Sequence, residues 1–178
     1  SNFENITGSA FDDTIDGNEV VNKLDGAAGD DTISGGAGDD IIVGGEGDDV
    51  LSGDAGDDTI DGGVGTGDVA VFAGNQSDYT FASSVDGLTV KVTETSTGDV
   101  DTLTGVETLA FADSNIGVSF DETESRLVLT GSNDGDSIQV VGDVAVTVLG
   151  LDGADALAGG LGDDVIEGGL GDDTIDGG

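Results

Sequence analysis

Side chains that could do chemistry recur at a fixed interval in the first third of the chain. An acid or an amide returns at every ninth residue, at Asp13, Asn22, Asp31, Asp40, Asp49 and Asp58. Carboxylates repel one another where they lie close together, and their oxygens are good ligands for hard cations. The chain has no His and no Cys, which removes the commonest transition-metal ligand and all thiol chemistry. The side chains therefore point to cation binding.

These side chains belong to a nonapeptide repeat. Six consecutive copies run from residue 8 to residue 61: GSAFDDTID, GNEVVNKLD, GAAGDDTIS, GGAGDDIIV, GGEGDDVLS and GDAGDDTID. Position 1 is always Gly, position 6 is Asp or Asn, and position 8 is Ile or Leu. Further copies between residues 131 and 176 place Asp136, Asp155, Asp164 and Asp173 at position 6. A short fixed period predicts a repeat architecture.

Composition limits the partners that the chain can have. It carries 39 acidic residues against 3 basic ones, for a net charge of −36. Such a polyanion is not expected to bind nucleic acid or an anionic lipid surface. Its apolar runs are too short for membrane insertion, and residues 1–10 do not resemble a signal peptide. High charge with few aromatics is typical of disorder, but 35% of the residues are apolar and regularly placed. We interpret the chain as a piece of a longer protein.

The repeats predict an all-β chain in three segments. Residues 1–68 form a first repeat block, 69–130 an irregular β segment, and 131–178 a second repeat block. The middle segment contains β-branched and aromatic runs such as VAVF, YTF, LTVKVT and VETLAFA, which predict three to five short strands up to residue 120. Residues 140–149, VVGDVAVTVL, lack a glycine loop and predict a strand alone.

The copies GGAGDDIIV, GGEGDDVLS, GGLGDDVIE and GGLGDDTID resemble the signature G-G-x-G-x-D-x-U-x of the RTX (repeats-in-toxin) hemolysin-type calcium-binding family. The resemblance implies a parallel β-roll, which is a right-handed β-helix in which position 8 points inward. Two nonapeptides make one coil, so each loop stacks on the loop 18 residues away. Calcium then lies between stacked loops. Its ligands are both position-6 carboxylates, carbonyls 2 and 4 of one loop, and carbonyls 1 and 3 of the next.

Applied to this sequence, the resemblance implies three regular sites in the first block and one in the second. One pairs Asp31 and Asp49 with the carbonyls of Ala27, Gly29, Gly44 and Glu46. A second pairs Asp40 and Asp58 with those of Gly36, Gly38, Gly53 and Ala55. A third pairs Asp13 and Asp31 with those of Ser9, Phe11, Gly26 and Ala28. The fourth pairs Asp155 and Asp173 with those of Leu151, Gly153, Gly168 and Leu170.

Other positions depart from the pattern. Asn22 opposite Asp40, with the carbonyls of Gly35 and Ala37, supplies an oxygen without a charge and predicts a weaker site. Asp49 reaches Asp68 only if an inserted residue bulges, and the carbonyls there are those of Gly45, Gly47, Gly62 and Val64. Asp136 and Asp155 are 19 residues apart, and Asp164 lacks a second carboxylate. In all, the resemblance implies about five to eight Ca²⁺ ions.

The function expected from these features is that of a calcium-binding segment of a larger secreted or cell-surface bacterial protein. Calcium would drive its folding and rigidity, and the family implies type I secretion to an extracellular location. The alternative is a polysaccharide-binding or adhesion module beside an extracellular enzyme or adhesin, with Tyr79, Lys91 and Arg126 on its surface. Spaced aromatics are, however, more typical of a core. Catalysis is not expected, because the carboxylates fall in repeat positions and no Trp platform exists for a sugar.

Overall fold

The computed structural model describes residues 4–85 and 88–178, and in them the chain is all-β apart from one 3-10 helical turn. No helix in this described part is long and apolar enough to cross a membrane. Two compact units are formed: Ser1–Ala73 with Asp99–Leu109, and Gly74–Gly98 with Ala110–Gly178. The division into three consecutive segments stays a prediction.

The first unit is a parallel β-roll. Its strands are β1 (Glu4–Thr7), β2 (Thr14–Asn18), β3 (Asn22–Ala28), β4 (Thr32–Ala37), β5 (Ile41–Glu46), β6 (Val50–Ala55), β7 (Thr59–Val64), β8 (Val69–Val71), β11 (Val100–Thr104) and β12 (Thr108–Ala110). Strands β1, β3, β5, β7 and β11 pair in that order, each parallel to the next. Strands β2, β4, β6 and β8 do the same, with β12 next to β8.

The register follows the repeat. Leu24 faces Ile42, and Ile42 faces Ile60, so paired residues lie 18 positions apart. This is the length of two nonapeptides, and it confirms that two copies make one coil. Between β6 and β8 the separation is 19, because Leu51 faces Ala70. One extra residue is therefore absorbed before β8 without losing the parallel pairing.

Position 8 of each repeat in the first unit fills the core, as predicted, whereas Ile175 at position 8 of the last repeat is 50% exposed. Leu24, Ile42 and Leu51 are fully buried, while Ile41, directly before Ile42, is 44% exposed. Successive side chains of a strand point to opposite faces. In the six-residue strands β4 to β7 the second buried position is glycine, so each strand buries one Ile or Leu side chain. Each coil thus adds a thin layer of Ile and Leu to the core.

The middle of the sequence also contributes to this roll. Strand β11 pairs with β7 in parallel, with Leu103 facing Ile60. Leu103 and Leu109 are buried like the position-8 residues of the repeats. The expected three to five strands are too few, because the described residues form six here: β8, β9 (Tyr79–Ser83), β10 (Val90–Glu94), β11, β12 and β13 (Asn115–Asp121). Gly105, at φ 60°, turns the chain between β11, which lies outside the predicted runs, and β12, which lies within the predicted run VETLAFA.

The second unit combines two antiparallel pairs with the second repeat block. A 3-10 turn (Gln76–Asp78) is followed by β9 (Tyr79–Ser83), β10 (Val90–Glu94), β13 (Asn115–Asp121), β14 (Arg126–Thr130), β15 (Ser137–Gln139), β16 (Val146–Leu149), β17 (Ala156–Ala158), β18 (Val165–Glu167) and β19 (Thr174–Asp176). The pairs β9–β10 and β13–β14 are antiparallel. The rows β14–β16–β18 and β15–β17–β19 are parallel.

Aromatic side chains form the core of the second unit beside β9. Phe81 is fully buried, and Tyr79 and Phe111 are nearly so. The ring centroids of Tyr79 and Phe111 are 5.1 Å apart, and those of Phe81 and Phe111 are 6.0 Å apart in an edge-on arrangement. These rings pack against one another, as the strand periodicity favours, and do not form an exposed platform for a sugar. Lys91 is exposed, and Arg126 pairs with Glu124 at 3.1 Å.

The adjacent residues Ile41 and Ile42 provide a matched test of the core. We expect Ile42→Ala to lower the free energy of unfolding by about 2–5 kcal/mol, because it leaves a cavity in a layer one side chain thick. Ile41→Ala removes the same atoms from a half-exposed position and should cost much less. Urea unfolding in buffer containing calcium chloride, followed by circular dichroism, measures both. Equal losses for the two variants would contradict the assignment of position 8 to the core.

Candidate metal centre

The position-6 side chains of the first unit form two columns held by backbone hydrogen bonds. The amide of Asp31 donates to Asp49 Oδ1 at 2.8 Å, and the amide of Asp40 donates to Asp58 Oδ1 at 2.7 Å. The same contact joins Asp13 to Asp31, Asn22 to Asp40 and Asp49 to Asp68. Each carboxylate is thereby fixed one coil above the preceding position-6 residue.

The second oxygen of these carboxylates is the unusual feature. Oδ2 is buried and has no hydrogen-bond donor within the described residues in Asp31, Asp40, Asp49, Asp58, Asp68, Asp155 and Asp164. A buried anionic oxygen without a donor is costly, because it has lost water and gained nothing. A cation at this place would supply the missing partner.

Backbone carbonyls converge on the same space. A Cβ atom added to Gly26 would meet both Asp31 Oδ2 and the carbonyl oxygen of Gly44 in the next coil. Beside Gly35, Gly44 and Gly150, the equivalent carboxylate oxygen and the equivalent carbonyl oxygen of the next coil lie in the same place. Position 1 is therefore glycine because a side chain would fill the cradle between the carboxylate and the next coil.

Positions 2 and 4 shape the loop. Gly29 has φ 116° and Gly47 has φ 131°, angles that only glycine adopts without strain. At position 2 the backbone is also left-handed, even where the residue is Ala27 (φ 78°). Added Cβ atoms at Gly45 and Gly47 would meet the carbonyl oxygens of Ala27 and Gly29, which shows that these carbonyls point toward the next coil.

Around the pair Asp31 and Asp49, the carbonyl of Gly44 lies beside Asp31 Oδ2 at Gly26, and the carbonyls of Ala27 and Gly29 point toward the stacked loop at Gly45 and Gly47. The carbonyl of Glu46 accepts the amide of Gly29 at 2.8 Å and keeps its second lone pair. Two carboxylates and several carbonyls make an all-oxygen donor set that fits calcium.

The Asp40 and Asp58 pair repeats this arrangement. Gly35 has both Asp40 Oδ2 and the Gly53 carbonyl in the space where its Cβ would lie. The carbonyl of Ala55 accepts the amide of Gly38 at 2.8 Å, as Glu46 does for Gly29. An added Cβ at Gly56 would lie against the Gly38 carbonyl, and one at Gly36 against the Asn18 carbonyl of the preceding coil.

The Asp13 and Asp31 pair differs at its first loop. The amide of Ser9 donates to Asp13 Oδ2 at 2.6 Å, so this oxygen already has a partner. Phe11 stands where most other copies have glycine and is 77% exposed. The carbonyl of Gly26 faces Gly8 and Asp13 as in the other coils, with Ala28 two residues farther along the same loop.

Two irregular positions reach the column. Thr66 still stacks 18 residues above Asp48 and donates to its carboxylate at 3.1 Å, whereas Asp68 accepts from Asp49 across 19 residues. The inserted residue is therefore absorbed at Gly67, and Asp68 is fully buried. In these two stacked loops, the carbonyls of Gly62, Gly45 and Gly47 each face a glycine of the other loop. The carbonyl of Val64 accepts the amide of Gly47. Asn22 Oδ1 accepts the amide of Asn18 at 2.8 Å, while its buried Nδ2 has no partner in the described chain.

The second repeat block shows the same geometry with two variations. Asp155 donates its amide to Asp173 Oδ1 at 3.2 Å, and Gly153 donates to the carbonyl of Leu170 at 2.8 Å. The carbonyls of Gly168 and Leu151 face the glycines stacked on them. Asp136 donates to Asp155 at 2.9 Å across 19 residues, but its Oδ2 accepts from Ser132.

Asp164 stacks on a residue that has no carboxylate. The amide of Val146 donates to Asp164 Oδ1 at 2.9 Å, so Val146 occupies the position-6 place one coil earlier. Residues 140–149 thus provide the strand expected from the sequence, β16, without a second acid.

Sequence reasoning missed two acids that join the columns. The amide of Asp58 donates to Asp101 Oδ1 at 3.0 Å, and the amide of Asp68 donates to Glu107 Oε2 at 3.0 Å. The signal was the pair of tripeptides DTL and ETL, which copy the spacing of positions 6 to 8. This signal was overlooked because neither tripeptide belongs to a complete nonapeptide.

The position-5 acids form a second, exposed ladder. Their carboxylates accept the position-5 amide of the next coil, as in the contact from Asp48 to Asp30 at 3.0 Å. Corresponding bonds join Asp30 to Asp12 and Asp57 to Asp39. Within the described residues, no three acidic side chains converge as a metal cluster.

Burial makes six acids of the columns hard to ionise. Burial raises the pKa of Asp58 to about 6 and that of Asp101 to about 7, and neighbouring carboxylates add to the rise while a backbone N–H opposes it. Burial also raises the pKa values of Asp40, Asp49, Asp68 and Asp136. Without a cation, therefore, these six acids bind protons more tightly in the folded state than in the unfolded chain.

This electrostatic arrangement predicts an unusual pH dependence. The folded pKa values of Asp58 and Asp101 lie above the ordinary 3.8, so the folded state binds protons more tightly than the unfolded chain. Their contribution to stability is complete below the ordinary pKa and is lost as pH rises through about 6–7. We expect a chain treated with EGTA to gain β signal in circular dichroism when the pH falls from about 8 to about 5. With saturating calcium the trend should reverse, because protons compete with the ion. A loss of β signal on acidification in EGTA would contradict this expectation.

Comparison with solved structures finds similarity to the crystal structure of the extracellular lipase LipA from Serratia marcescens. The sequences are 18% identical, the TM-score is 0.41, and the match covers 94% of this chain and 28% of the lipase chain. A search of curated proteins finds no match.

The family comparison is more informative. The model of the RTX calcium-binding nonapeptide repeat matches four times, over residues 2–33, 16–51, 34–69 and 149–178. These ranges cover nearly all of the first repeat block, residues 149–178 of the second block, and more than half of the chain, and they confirm the resemblance drawn from the repeats. The chain belongs to the family of RTX calcium-binding nonapeptide repeat proteins.

Proposed function

We propose that this chain is a segment of a larger secreted or cell-surface protein, which calcium folds and stiffens. The observation that carries the proposal is the column of buried carboxylate oxygens without a donor in the described chain. Stacked carboxylates repel one another in a poorly solvated interior. A divalent ion between two of them cancels both charges and supplies the missing partner.

The residues proposed to hold the ions are the position-6 side chains and the loop carbonyls around them. For the pair Asp31 and Asp49 these are the carbonyls of Ala27, Gly29, Gly44 and Glu46. Two observations support the assignment: Asp31 Oδ2 and the Gly44 carbonyl oxygen meet beside Gly26, and the Ala27 and Gly29 carbonyls point toward the stacked loop. By the same stacking we propose about five to eight ions per chain, with weaker binding where Asn22 replaces an acid.

Calcium would act on folding because the polypeptide alone has a thin core and a large charge. Each coil buries few apolar side chains, and the net charge of −36 opposes compaction. The many glycines increase the entropy of the unfolded chain. When sites exist only in the folded state, the free energy of binding adds to the free energy of folding.

The dependence of folding on calcium supports an extracellular location. Calcium modules outside the cell bind the ion with dissociation constants of about 10⁻⁴–10⁻³ M. A chain that is unfolded in low calcium could pass a type I exporter and fold where calcium is abundant. The absence of cysteine means that the ions, rather than disulfides, would provide the stabilising cross-links.

A calcium titration followed by far-ultraviolet circular dichroism tests the proposal. We expect a cooperative gain of β signal with calcium and not with magnesium, which prefers smaller octahedral sites. Asp49→Asn should raise the calcium concentration at the midpoint by about tenfold, since Asp49 belongs to two stacked pairs. Asp16→Asn, which removes an exposed carboxylate from β2, serves as the matched control and should leave the midpoint unchanged. A β spectrum that persists in EGTA would contradict calcium-driven folding.

Asn22 offers a test in the opposite direction. Asn22→Asp restores a second carboxylate opposite Asp40, so we expect tighter calcium binding and a lower midpoint for the variant. Isothermal titration calorimetry compares its affinity with that of the parent chain. In EGTA the variant should be the less folded of the two, because it adds one more buried charge. An unchanged calcium affinity would show that position 6 of this loop is not a ligand.

A further inference from the structure

A segment outside the nonapeptides, residues 99–109, extends both columns of the first unit. The amide of Asp58 donates to Asp101 Oδ1 at 3.0 Å, and the amide of Asp68 donates to Glu107 Oε2 at 3.0 Å. Within the repeats this contact links residues 18 or 19 positions apart. Here the partners are 43 and 39 positions apart in sequence. The family match ends at residue 69 and resumes at 149, so it does not include this segment.

The backbone places both acids as position-6 residues. Leu103 faces Ile60 across β11 and β7, so Asp101 and Leu103 stand at positions 6 and 8 of a coil. The amide of Thr102 donates to the carbonyl of Asp58 at 2.8 Å, as the amide of Thr59 does to Asp40 at 2.9 Å. Glu107 and Leu109 have the same relation, because the amide of Thr108 donates to the carbonyl of Asp68 at 3.1 Å.

Below each of these acids lies a buried oxygen that has no donor in the described part of the chain. Asp58 is 1% exposed and Asp68 is fully buried, and the Oδ2 atom of each has no partner there. A Cβ atom on Gly62 would meet both Asp68 Oδ2 and the carbonyl oxygen of Gly105. This is the cradle that the repeats build from two nonapeptides, with Gly105 taking the place of position 1.

We propose that Asp101 and Glu107 each complete a calcium site, Asp101 with Asp58 and Glu107 with Asp68. The first site would add the carbonyls of Asp54 and Gly56, at positions 2 and 4 of the loop below. The second would add the carbonyl of Gly105. Both donor sets contain only oxygen and two carboxylates, the combination that suits a hard divalent ion. The inference rests on the proposed calcium-dependent folding of the repeats.

The use of glutamate fits the shorter loop. In a nonapeptide four residues separate the position-1 glycine from the position-6 acid, whereas only Val106 separates Gly105 from Glu107. The extra methylene of Glu lets its carboxylate reach the amide of Asp68 from this tight turn. Calcium at these sites would tie a segment remote in sequence to the last nonapeptides of the first block.

Ion counting on the full chain tests the inference. Native mass spectrometry at saturating calcium gives the number of ions bound by the parent chain and by Asp101→Asn, Glu107→Gln and the double variant. We expect each single variant to bind about one ion fewer and the double variant about two fewer. Asp16→Asn serves as the control for loss of a carboxylate and should bind the full number. Circular dichroism on the same samples verifies that each variant reaches the β signal of the parent.

The outcomes separate this inference from the proposed function. If the parent binds calcium and both single variants bind as many ions as the parent, the two extra sites do not exist, although the repeat sites do. If the parent binds no calcium, the proposed function itself fails. Should Asp101→Asn fail to fold, the count for Glu107→Gln decides: a full number of ions overturns the inference, and the loss of one supports it.

Discussion

The structure depends on carboxylates that are stacked one coil apart, most of which have one oxygen without a donor among the described residues. The backbone amide of each position-6 residue fixes the acid above it, so the charges cannot move away from one another while the coil is formed. Repulsion along a column is therefore part of the fold. It is relieved in only two ways, by protons, which the raised pKa values favour, or by cations. The folded state of this chain is accordingly linked to the ions in its solution.

Glycine has a separate role from charge. At position 1 it leaves the space in which a carboxylate and the next carbonyl meet, and at position 4 it gives the backbone angles that turn carbonyls toward that space. Ala27 and Leu151 adopt the left-handed conformation at position 2 despite their side chains, with φ 78° and 79°. The coil geometry thus overrides local preference where the stacking of neighbours demands it.

The regular part of this molecule could be predicted from the sequence because each coil contacts mainly its neighbours. Three columns of the repeat, Gly, Asp and Ile or Leu, predict a repeated loop, a cation ligand and a core position. The family resemblance adds that two copies make one coil, which is the observed register of 18 residues. What escaped prediction depends on contacts distant in sequence. Asp101 and Glu107 resemble ordinary strand residues until β11 lies beside β7. The bulge at Gly67 was expected from the extra residue. The exposed ladder of position-5 acids was not, because it consists of hydrogen bonds between residues of stacked coils.

The return of residues 99–109 to the first unit has a consequence for how such rolls accept inserted sequence. The chain leaves this unit after residue 73 and re-enters it at residue 99 in register, with Leu103 over Ile60. A roll grows by adding one layer to the last, so the next layer needs the right strand and acid but not an adjacent position in the gene. Each doubling of the length of the segment inserted between two coils adds only about 0.6 kcal/mol to the entropic cost of closing it. The junction between two coils is therefore a place where much longer domains could be accommodated without disturbing the layers on either side.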